Sequence, residues 1–510
     1  MQKRYSKVVF KDYNSKQNLL FPANIGDLIA DKHPVRIVDQ IIDRINISSL
    51  LDTYQGGGTS SYDPRMMLKV VIYSYLTNIY TSRKIEQALQ QNVHFMWLSG
   101  MSYPDHNTIS RFRSKRLNGP VREIFDQIVQ LLIDEGLVSL KQVFLDGTKI
   151  EANANRYTFV WGKNLTRHRQ NIEKQLKELW DYAQNIAHQE LEHNEPDFDK
   201  ISPEKVKQTI EAIDKALSGK EVDKKTRRKI SDGRKKWPDK LEEYDKFSRQ
   251  MGERNSLSKT DPDATFMRLK EDHMNNSQLK PAYNWQISTQ NQFILTYTIH
   301  QALADTTTLG EHIISLEKTL GKMPEDIVAD AGYGSEENYQ ILEDNNVNAY
   351  VKYNYFHKEQ TKKWRENPFR IENLHYNLDK DCYYCPMGQE MSFVKQQKST
   401  TINGYEQTKR FYQAQCCRGC PVRGGCHKGK GNRQIEVNPN LIRLRNKAKE
   451  KLISKQGLIY RSQRPVDVEG TFGIIKHNHG FRRFLLRGMD KVNIEAGLLA
   501  IAQNIRKMAV

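Results

Sequence analysis

The sequence contains little cysteine and no long hydrophobic run. Six cysteines among 510 residues are too few for a disulfide-stabilised scaffold. No stretch of about 18 apolar residues is present that could cross a membrane. The opening segment, MQKRYSKVVFKDYNSKQ, lacks the apolar core of a signal peptide. These absences exclude an integral membrane protein and a disulfide-rich secreted protein, and they predict a cytoplasmic protein with no membrane partner.

Acidic residues are outnumbered by basic ones, and the imbalance is uneven. The chain has 79 Lys and Arg against 61 Asp and Glu, a net charge of +18. Residues 441–510 alone hold 15 basic and 5 acidic residues, a net of +10. This clustering favours a polyanionic partner near the C-terminus, with nucleic acid as the first candidate. The alternative is that folding scatters these side chains.

Residues 20–140 have the apolar spacing of helices. The run 63–80 predicts a helix with Asp63 as N-cap and Pro64 in its first turn. Asp105 is predicted to cap a later, basic helix. Two short helices, a turn and a basic third helix form the outline of a helix-turn-helix module, although any small helical bundle can share it. The residues predicted to contact DNA on the basic helix are Arg111, Arg113, Lys115 and Arg116.

Two aspartates end predicted strands. The run QVFLDGT predicts a buried strand that ends at Asp146, and DIVADAGY predicts a second that ends at Asp330. A carboxylate at the end of a buried strand must face a cleft or be compensated by a cation. Asp146 and Asp330 are therefore candidates for a shared site.

The segment 281–304 has the alternating pattern of a β-hairpin.

Glu469 is the third candidate acid. Pro465 is predicted to open a helix on which Glu469, Phe472 and Lys476 share one face. Two strand acids and one helix acid that converge can hold two Mg²⁺ ions, and such a pair supports in-line displacement at phosphorus. The cations predicted to bind phosphates or to stabilise developing charge are Arg461, Arg464, Lys476, Arg482, Arg483 and Arg487. Tyr460 is predicted to contact DNA with them.

Spacing alone leaves other acids open. Asp146 would otherwise be a turn residue, Asp330 a strand-end cap and Glu469 a solvated helix acid. The rival acids near the same predicted strands and helix are Glu151, Asp261, Asp263, Asp305, Asp326 and Asp467.

The segment 164–258 is dense in charge and has helix-period apolar residues. A helix is predicted to start at Ser202 and Pro203. We interpret this segment as a helical insertion, a charged and solvated pair of helices.

All six cysteines lie between Cys382 and Cys426. The spacing Cys382-x₂-Cys385 and Cys417-x₂-Cys420 is typical of zinc knuckles. The favoured ligands are Cys385, Cys417, Cys420 and Cys426, with Cys382 as the alternative to Cys385. A closed shell of thiolates predicts a structural Zn²⁺ rather than a catalytic one. The alternative is a cluster of reduced, packed thiols.

Five motifs in this order resemble the DDE transposases of bacterial insertion sequences, and the nearest group is the family called eleven-eighty-two. The resemblance covers nearly the whole chain. The motifs are LDGTKIEANANRYTFVWGK, TDPDATFMRLKED, YNWQIS, VADAGYGSEENY and RPVDVEGTFGIIKHNHGFRRFLLRG.

The resemblance implies an α/β fold with a ribonuclease H-like mixed-sheet catalytic domain. Its catalytic and metal-binding acids would be Asp146, Asp330 and Glu469, served by two Mg²⁺ or Mn²⁺ ions. The expected organisation is a helical, DNA-binding N-terminal domain at 1–138, a catalytic domain at 139–163 and 259–375, a charged helical insertion at 164–258, a Cys-rich insertion at 376–435 and C-terminal catalytic helices at 436–510.

The related transposases carry a Tyr-Arg-Glu-Lys signature around the last acid. Its counterparts are Tyr460, Arg464, Glu469 and Lys476, with Arg461 as the alternative to Arg464. The implied activity is metal-dependent cleavage of DNA at the terminal inverted repeats, followed by strand transfer into target DNA. The implied protein is a nucleoid-associated homodimer. The alternatives are a ribonuclease H-like nuclease without strand transfer and a catalytically inactive DNA-binding regulator.

Overall fold

The computed structural model describes residues 24–54, 61–187, 191, 196–198, 201–269 and 278–509. The first 23 residues of the expected N-terminal domain lie outside this part, as do 270–272 of the TDPDATFMRLKED motif. No helix in the described part is long and apolar enough to span a bilayer.

The N-terminal region is helical. Asp63 caps its helix by accepting a hydrogen bond from the Met66 amide at 2.7 Å, and Asp105 accepts from the Thr108 amide at 2.8 Å. Both predicted caps are therefore confirmed. The helices are α1 (Pro34–Arg44), α2 (Ser48–Leu51), α3 (Pro64–Leu76), α4 (Ser82–Gln91), α5 (Val93–Leu98), α6 (His106–Arg111) and α7 (Pro120–Asp134), with a π-helical turn at Phe112–Arg116.

A mixed sheet forms the centre of the protein. Its strands are β1 (Gln142–Glu151), β4 (Thr265–Arg268), β5 (Leu279–Gln290), β6 (Phe293–His300), β7 (Asp326–Ala329) and β8 (Asn348–Val351), while β2 (Phe159–Trp161) and β3 (Ser256–Ser258) form a separate ribbon. β1 lies antiparallel to β5 and parallel to β7, which is parallel to β8. The antiparallel pairing of β5 with β6 confirms the β-hairpin predicted for 281–304.

Asp146 does not end its strand, contrary to the sequence prediction. β1 continues from Asp146 to Glu151 because the backbone stays paired with β5 throughout that stretch. Asp330 directly follows β7, as predicted.

The segment between β2 and β3 is a helical unit with its own apolar core. Its helices are α8 (Gly162–Ile186), α9 (Pro203–Ala216) and α10 (Lys224–Met251). The Ser202 hydroxyl accepts a hydrogen bond from the Lys205 amide at 3.2 Å, which confirms the predicted helix start. Trp180, Ile210 and Leu241 are among the buried residues of this core.

Further helices and a second sheet follow the central strands. The helices are α11 (Leu309–Leu320), α12 (Glu336–Asp344), α13 (Lys362–Arg365) and α14 (Arg423–Cys426). The cysteines lie in a region built on an antiparallel sheet of β9 (His375–Asn377), β10 (Cys382–Tyr384), β11 (Glu390–Thr400), β12 (Glu406–Ala414) and β13 (Gln434–Val437). The sequence pattern predicted knuckle turns here but not this sheet.

The C-terminal region carries Glu469 on an almost continuous helix. The elements are α15 (Pro439–Ile453), α16 (Lys455–Arg464), a π-helical turn at Pro465–Glu469, α17 (Gly470–Gly473), a second π-helical turn at Ile474–Asn478 and α18 (Met489–Met508). Pro465 therefore continues a helix instead of opening one. Its missing N–H is accommodated where the hydrogen-bond pattern changes to a π turn.

Helix α18 joins the N-terminal helices to the sheet. Nearly all of its residues from Val492 to Ile505 are buried, and it contacts α3, α7 and β6. The N-terminal helices and the central sheet consequently share one apolar core.

Candidate functional site

The three acids singled out in the sequence meet at one guanidinium. Arg464, the last residue of α16, has a side chain that is only 6% exposed. Its Nη2 lies 3.0 Å from Asp146 Oδ1 and 4.0 Å from Asp330 Oδ2, and its Nη1 lies 2.5 Å from Glu469 Oε1. Three carboxylates from distant parts of the chain thus surround a single buried cation.

Strand register brings the two aspartates together. Leu145 of β1 pairs with Ala329 of the parallel strand β7, so the residues that follow, Asp146 and Asp330, lie side by side. The π-helical turn after α16 supplies Glu469. The side chains are 15%, 38% and 50% exposed for Asp146, Asp330 and Glu469, so the cluster opens toward solvent on the Glu469 side.

A fourth carboxylate lies next to Asp330. Two amides on β5 hold Asp305 Oδ1: Asn284 donates at 2.8 Å and Gln286 at 2.9 Å. A Cβ placed on Gly332 would lie 2.9 Å from Asp330 Oδ1 and 3.4 Å from Asp305 Oδ2, so both acids border the same glycine. Asp305 was one of several open rivals in the sequence, where nothing distinguished it from the others.

Tyr333 contacts the same Gln286 side chain that holds Asp305. Its buried hydroxyl donates a hydrogen bond to the Gln286 side chain. Burial, followed by the charges of Asp305 and the other nearby carboxylates, raises the pKa of Tyr333 well above its ordinary value, so the hydroxyl stays protonated. A Cβ on Gly147 would overlap the Gln286 amide, so a larger residue there would displace that side chain from its bonds to Asp305 and Tyr333.

Lys352 adds a second cation at the same edge of the sheet. It directly follows β8, as Asp330 follows β7, and the carboxyl ends of these parallel strands adjoin. Burial, with the nearby guanidiniums of Arg464 and Arg461, lowers the pKa of Lys352, while Asp330 acts in the opposite direction. Its position after a parallel strand was the signal that could have identified it from the sequence.

The other rival acids have structural partners away from Arg464. Asp326 accepts a hydrogen bond from Tyr460 and Asp467 accepts one from Thr289. Burial raises the pKa of Asp467. The remaining rivals contact Tyr283 and Gly488 (Asp261), the Met489 amide (Asp263), and Lys280 and Arg483 (Glu151).

The residues predicted to bind DNA differ in how exposed their side chains are. Exposed side chains belong to Arg111, Lys115, Arg482, Arg483 and Arg487, whereas Arg116 and Arg461 are half-buried. Arg116 lies over the Tyr54 ring, and Arg461 lies over the Phe356 ring.

The remaining residues predicted to bind DNA have buried side chains. Arg113 donates to the Tyr75 hydroxyl at 3.2 Å, and the Tyr460 hydroxyl donates to Asp326 at 2.7 Å. Lys476 donates at 3.2 Å to the carbonyl of Lys149, which lies on β1, the strand that carries Asp146. With Arg464, these side chains are directed into the protein rather than toward an open surface.

Five of the six cysteines line one small cavity. A space of about 30 Å³ is bordered by Cys385, Cys416, Cys417, Cys420, Cys426 and His427, whereas buried Cys382 on β10 is not part of its lining. All six are free thiols. As they are placed, no three His, Cys, Asp or Glu side chains in the described ranges are close enough together to hold a metal ion, at this cavity or at Arg464.

Comparison with known families connects both ends of the chain to transposases. A family described as "Transposase DDE domain" matches residues 384–509, which include Glu469, and one described as "Transposase domain" matches residues 23–115. No curated protein gave a significant match to the sequence. The two matches, which cover less than half of the chain, support a DDE-type insertion-sequence transposase.

Proposed function

We propose that the protein cleaves DNA at the terminal inverted repeats of an insertion sequence and transfers the strands into target DNA. The convergence of Asp146, Asp330 and Glu469 on one buried arginine carries this proposal. The strand arrangement supports a ribonuclease H-like catalytic domain, because antiparallel β6, β5 and β1 continue into parallel β7 and β8.

The acids fit a divalent metal by their chemistry. Three carboxylates offer the hard oxygen ligands that Mg²⁺ and Mn²⁺ prefer, and Arg464 balances their charge when no ion is bound. We propose that Asp146, Asp330 and Glu469 hold two such ions, which would activate the attacking oxygen and stabilise the leaving oxygen.

The surrounding side chains would orient the carboxylates and the phosphate. Gln286 and Tyr333 fix the turn that follows β7, which keeps Asp330 beside Asp146. Arg464 and Lys352 provide positive charge where a phosphate approaches, and such fixed charges stabilise the charge that develops in phosphoryl transfer.

We further propose that DNA contacts exposed cations near the strand end at Glu151. Arg483 donates to the Ala152 and Ala154 carbonyls, and Arg487 donates to the Asn153 carbonyl, so both guanidiniums are held at the surface. Arg482 and the N-terminal pair Arg111 and Lys115 are further contacts in this proposal. The protein would act in the cytoplasm at the nucleoid, as a homodimer that holds two element ends.

A plasmid nicking assay tests the catalytic proposal. The substrate carries the element's own ends, and the proteins are wild type, Glu469→Gln and the matched control Glu450→Gln, an exposed helix glutamate. We expect end cleavage with Mg²⁺ or Mn²⁺ by wild type and control, none with EDTA, and at least about a 100-fold loss in Glu469→Gln.

The outcomes separate the alternatives. Unchanged cleavage by Glu469→Gln would overturn the assignment of the site. Specific end binding without cleavage by folded wild-type protein would favour the DNA-binding regulator, and cleavage without joined products would favour the nuclease.

We also propose a structural Zn²⁺ at the cysteine cavity, with Cys385, Cys417, Cys420 and Cys426 as ligands. Gly388 and Gly419 have φ angles of 76° and 70°, which allow the tight turns that follow Cys385 and Cys417. Metal binding would draw the thiolates together around the cavity.

The hydrogen bonds at this cavity support the zinc proposal. The Arg433 amide donates to Cys417 Sγ at 3.3 Å, and Arg433 Nη1 lies 3.1 Å from Cys426 Sγ. Such donors stabilise thiolate charge. In addition, His427 Nε2 donates to the Gly431 carbonyl at 3.0 Å, so the buried Nδ1, which has no hydrogen-bond partner, carries a lone pair beside the same cavity.

A further inference from the structure

The first half of helix α10 has an extreme charge composition. Residues 224–236 contain eight Lys and Arg and one acid, Asp232. The second half, residues 237–251, contains three basic and four acidic residues. The positive charge of this helix is therefore confined to about 18 Å of its length.

The basic half presents its cations away from the core of the insertion. Ile230 and Trp237 are buried in that core. Lys224, Arg228 and Lys235 are four and eleven residues apart, which places them in one row on the opposite side of the helix, and all three are exposed. Arg228 has an 87% exposed side chain.

Only part of this charge is neutralised within the protein. Lys236 lies 2.8 Å and Arg228 3.9 Å from the one acid, Asp232. Lys229 pairs with Glu178 and Arg234 with Asp214 on neighbouring helices. In the part of the chain that the structure describes, Lys224, Lys225 and Lys235 form no ion pair.

The cluster opposes the stability of its own helix. Cations near a helix N-terminus interact unfavourably with the helix dipole, and like charges three or four residues apart repel. From the N-cap to residue 231, the sequence has one acid, the N-cap Asp223, which accepts from the Thr226 amide at 2.9 Å. A partner that brings a row of negative charges would relieve this repulsion.

We propose that the basic half of α10 binds the phosphate backbone of duplex DNA without reading its sequence. This inference rests on the proposed function, because it assigns a second DNA contact to the same protein, distinct from the acid cluster. Duplex DNA presents closely and regularly spaced phosphates, and lysine neutralises them as a flexible point charge. The unpaired Lys224, Lys225 and Lys235 would make these contacts.

The test compares two triple variants of the full chain. One is Lys224→Gln/Lys225→Gln/Lys235→Gln. The matched control is Lys207→Gln/Lys240→Gln/Lys246→Gln, which removes three exposed lysines from the same helical unit outside the basic half. Affinity for a duplex of arbitrary sequence is measured over a series of KCl concentrations, and thermal unfolding is recorded for each protein.

We expect the first variant to bind at least about tenfold more weakly at low salt, with a log–log salt slope reduced by about 2 to 3, since each phosphate contact contributes about 0.9. The control should retain the wild-type affinity and slope. The unfolding temperature of the first variant should be unchanged or higher, because the substitutions remove repulsion.

Unchanged affinity and slope in the first variant would overturn this inference while wild-type binding still supports the proposed function. A loss of affinity for single-stranded RNA with none for duplex DNA would also overturn it. If wild type and both variants all fail to bind DNA, the proposed function itself fails. Cleavage by the Glu469→Gln protein reports on the acid cluster separately.

Discussion

Arg464 lies at the centre of the carboxylate cluster. Its guanidinium contacts all three acids, and its Nε is buried without a hydrogen-bond partner. Three carboxylates in a partly buried space would repel one another without a cation. Arg464 therefore stabilises the metal-free arrangement of the site, and divalent ions would compete with it for the same oxygens.

The variant Arg464→Gln tests this role. Without metal, we expect the free energy of unfolding to fall by about 1–3 kcal/mol, less than for a fully buried pair because Asp330 and Glu469 are partly exposed. The rise in unfolding temperature on adding Mg²⁺ should be larger in the variant than in wild type. Urea unfolding and thermal scans with and without Mg²⁺ measure both effects.

Arg464→Lys is the conservative control, and its retained charge should preserve most of the stability. Equal unfolding free energies and equal Mg²⁺ responses for Gln and wild type would show that Arg464 does not balance the acids.

At single residues, the sequence predicted which acidic side chains converge better than it predicted which side chains are buried. Asp146 and Asp330 could be selected because each was predicted to end a buried strand, and Glu469 because it was predicted to share a helix face with Lys476. That Arg113 and Tyr460 are buried could not be predicted, since their burial depends on contacts with Tyr75 and Asp326 from distant elements. Asp305 could not be separated from the other rival acids in the sequence either, because its contacts with the β5 side-chain amides appear only in the fold.

Among the elements, helix starts were predictable and the π-helical turns were not. Asp63, Asp105 and Ser202 act as caps through local hydrogen bonds that the sequence specifies directly. A proline normally opens or breaks a helix, but here the helix continues through Pro465 as a π turn. The π turn also changes the side-chain spacing between Arg464 and Glu469 from a regular helix.

The sheet around the cysteines explains which thiols line the same cavity. Cys385 follows β10, and Cys417 and Cys420 lie between β12 and β13, so loops at one end of the sheet bring them to the same cavity. Cys382 lies within β10, outside the cavity lining. Sequence spacing alone left Cys382 and Cys385 as alternatives, and strand geometry favours Cys385.

Metal content tests this assignment. Protein from zinc-supplemented cells should contain about one Zn²⁺ per chain, and Cys417→Ser and Cys420→Ser should lose most of it because a thiolate ligand is removed. Cys382→Ser is the matched control, with zinc retained. Elemental analysis of the purified proteins measures the content. Zinc-free wild-type protein, or an equal loss in the Cys382 variant, would contradict the assignment.

For the whole molecule, the apolar cores indicate which regions of the chain fold and unfold together. The N-terminal helices, predicted as a domain of their own, share their core with the central sheet through α18. The helical insertion instead closes a separate core and joins the sheet through the ribbon of β2 and β3. Because the N-terminal helices and the central sheet share one core, we expect them to unfold together. The insertion has a separate core, so we expect it to unfold independently.

Calorimetry should therefore show two unfolding transitions, one for the insertion and one for the main core. Leu176→Ala in the insertion and Ile287→Ala on β5 remove comparable buried side chains, which are 1% and 0% exposed. Each should destabilise its own transition by about 2–5 kcal/mol through the cavity it leaves. Because the two cores are separate, neither variant should shift the other transition. A single transition lowered equally by both variants would show that the insertion folds as part of the main core.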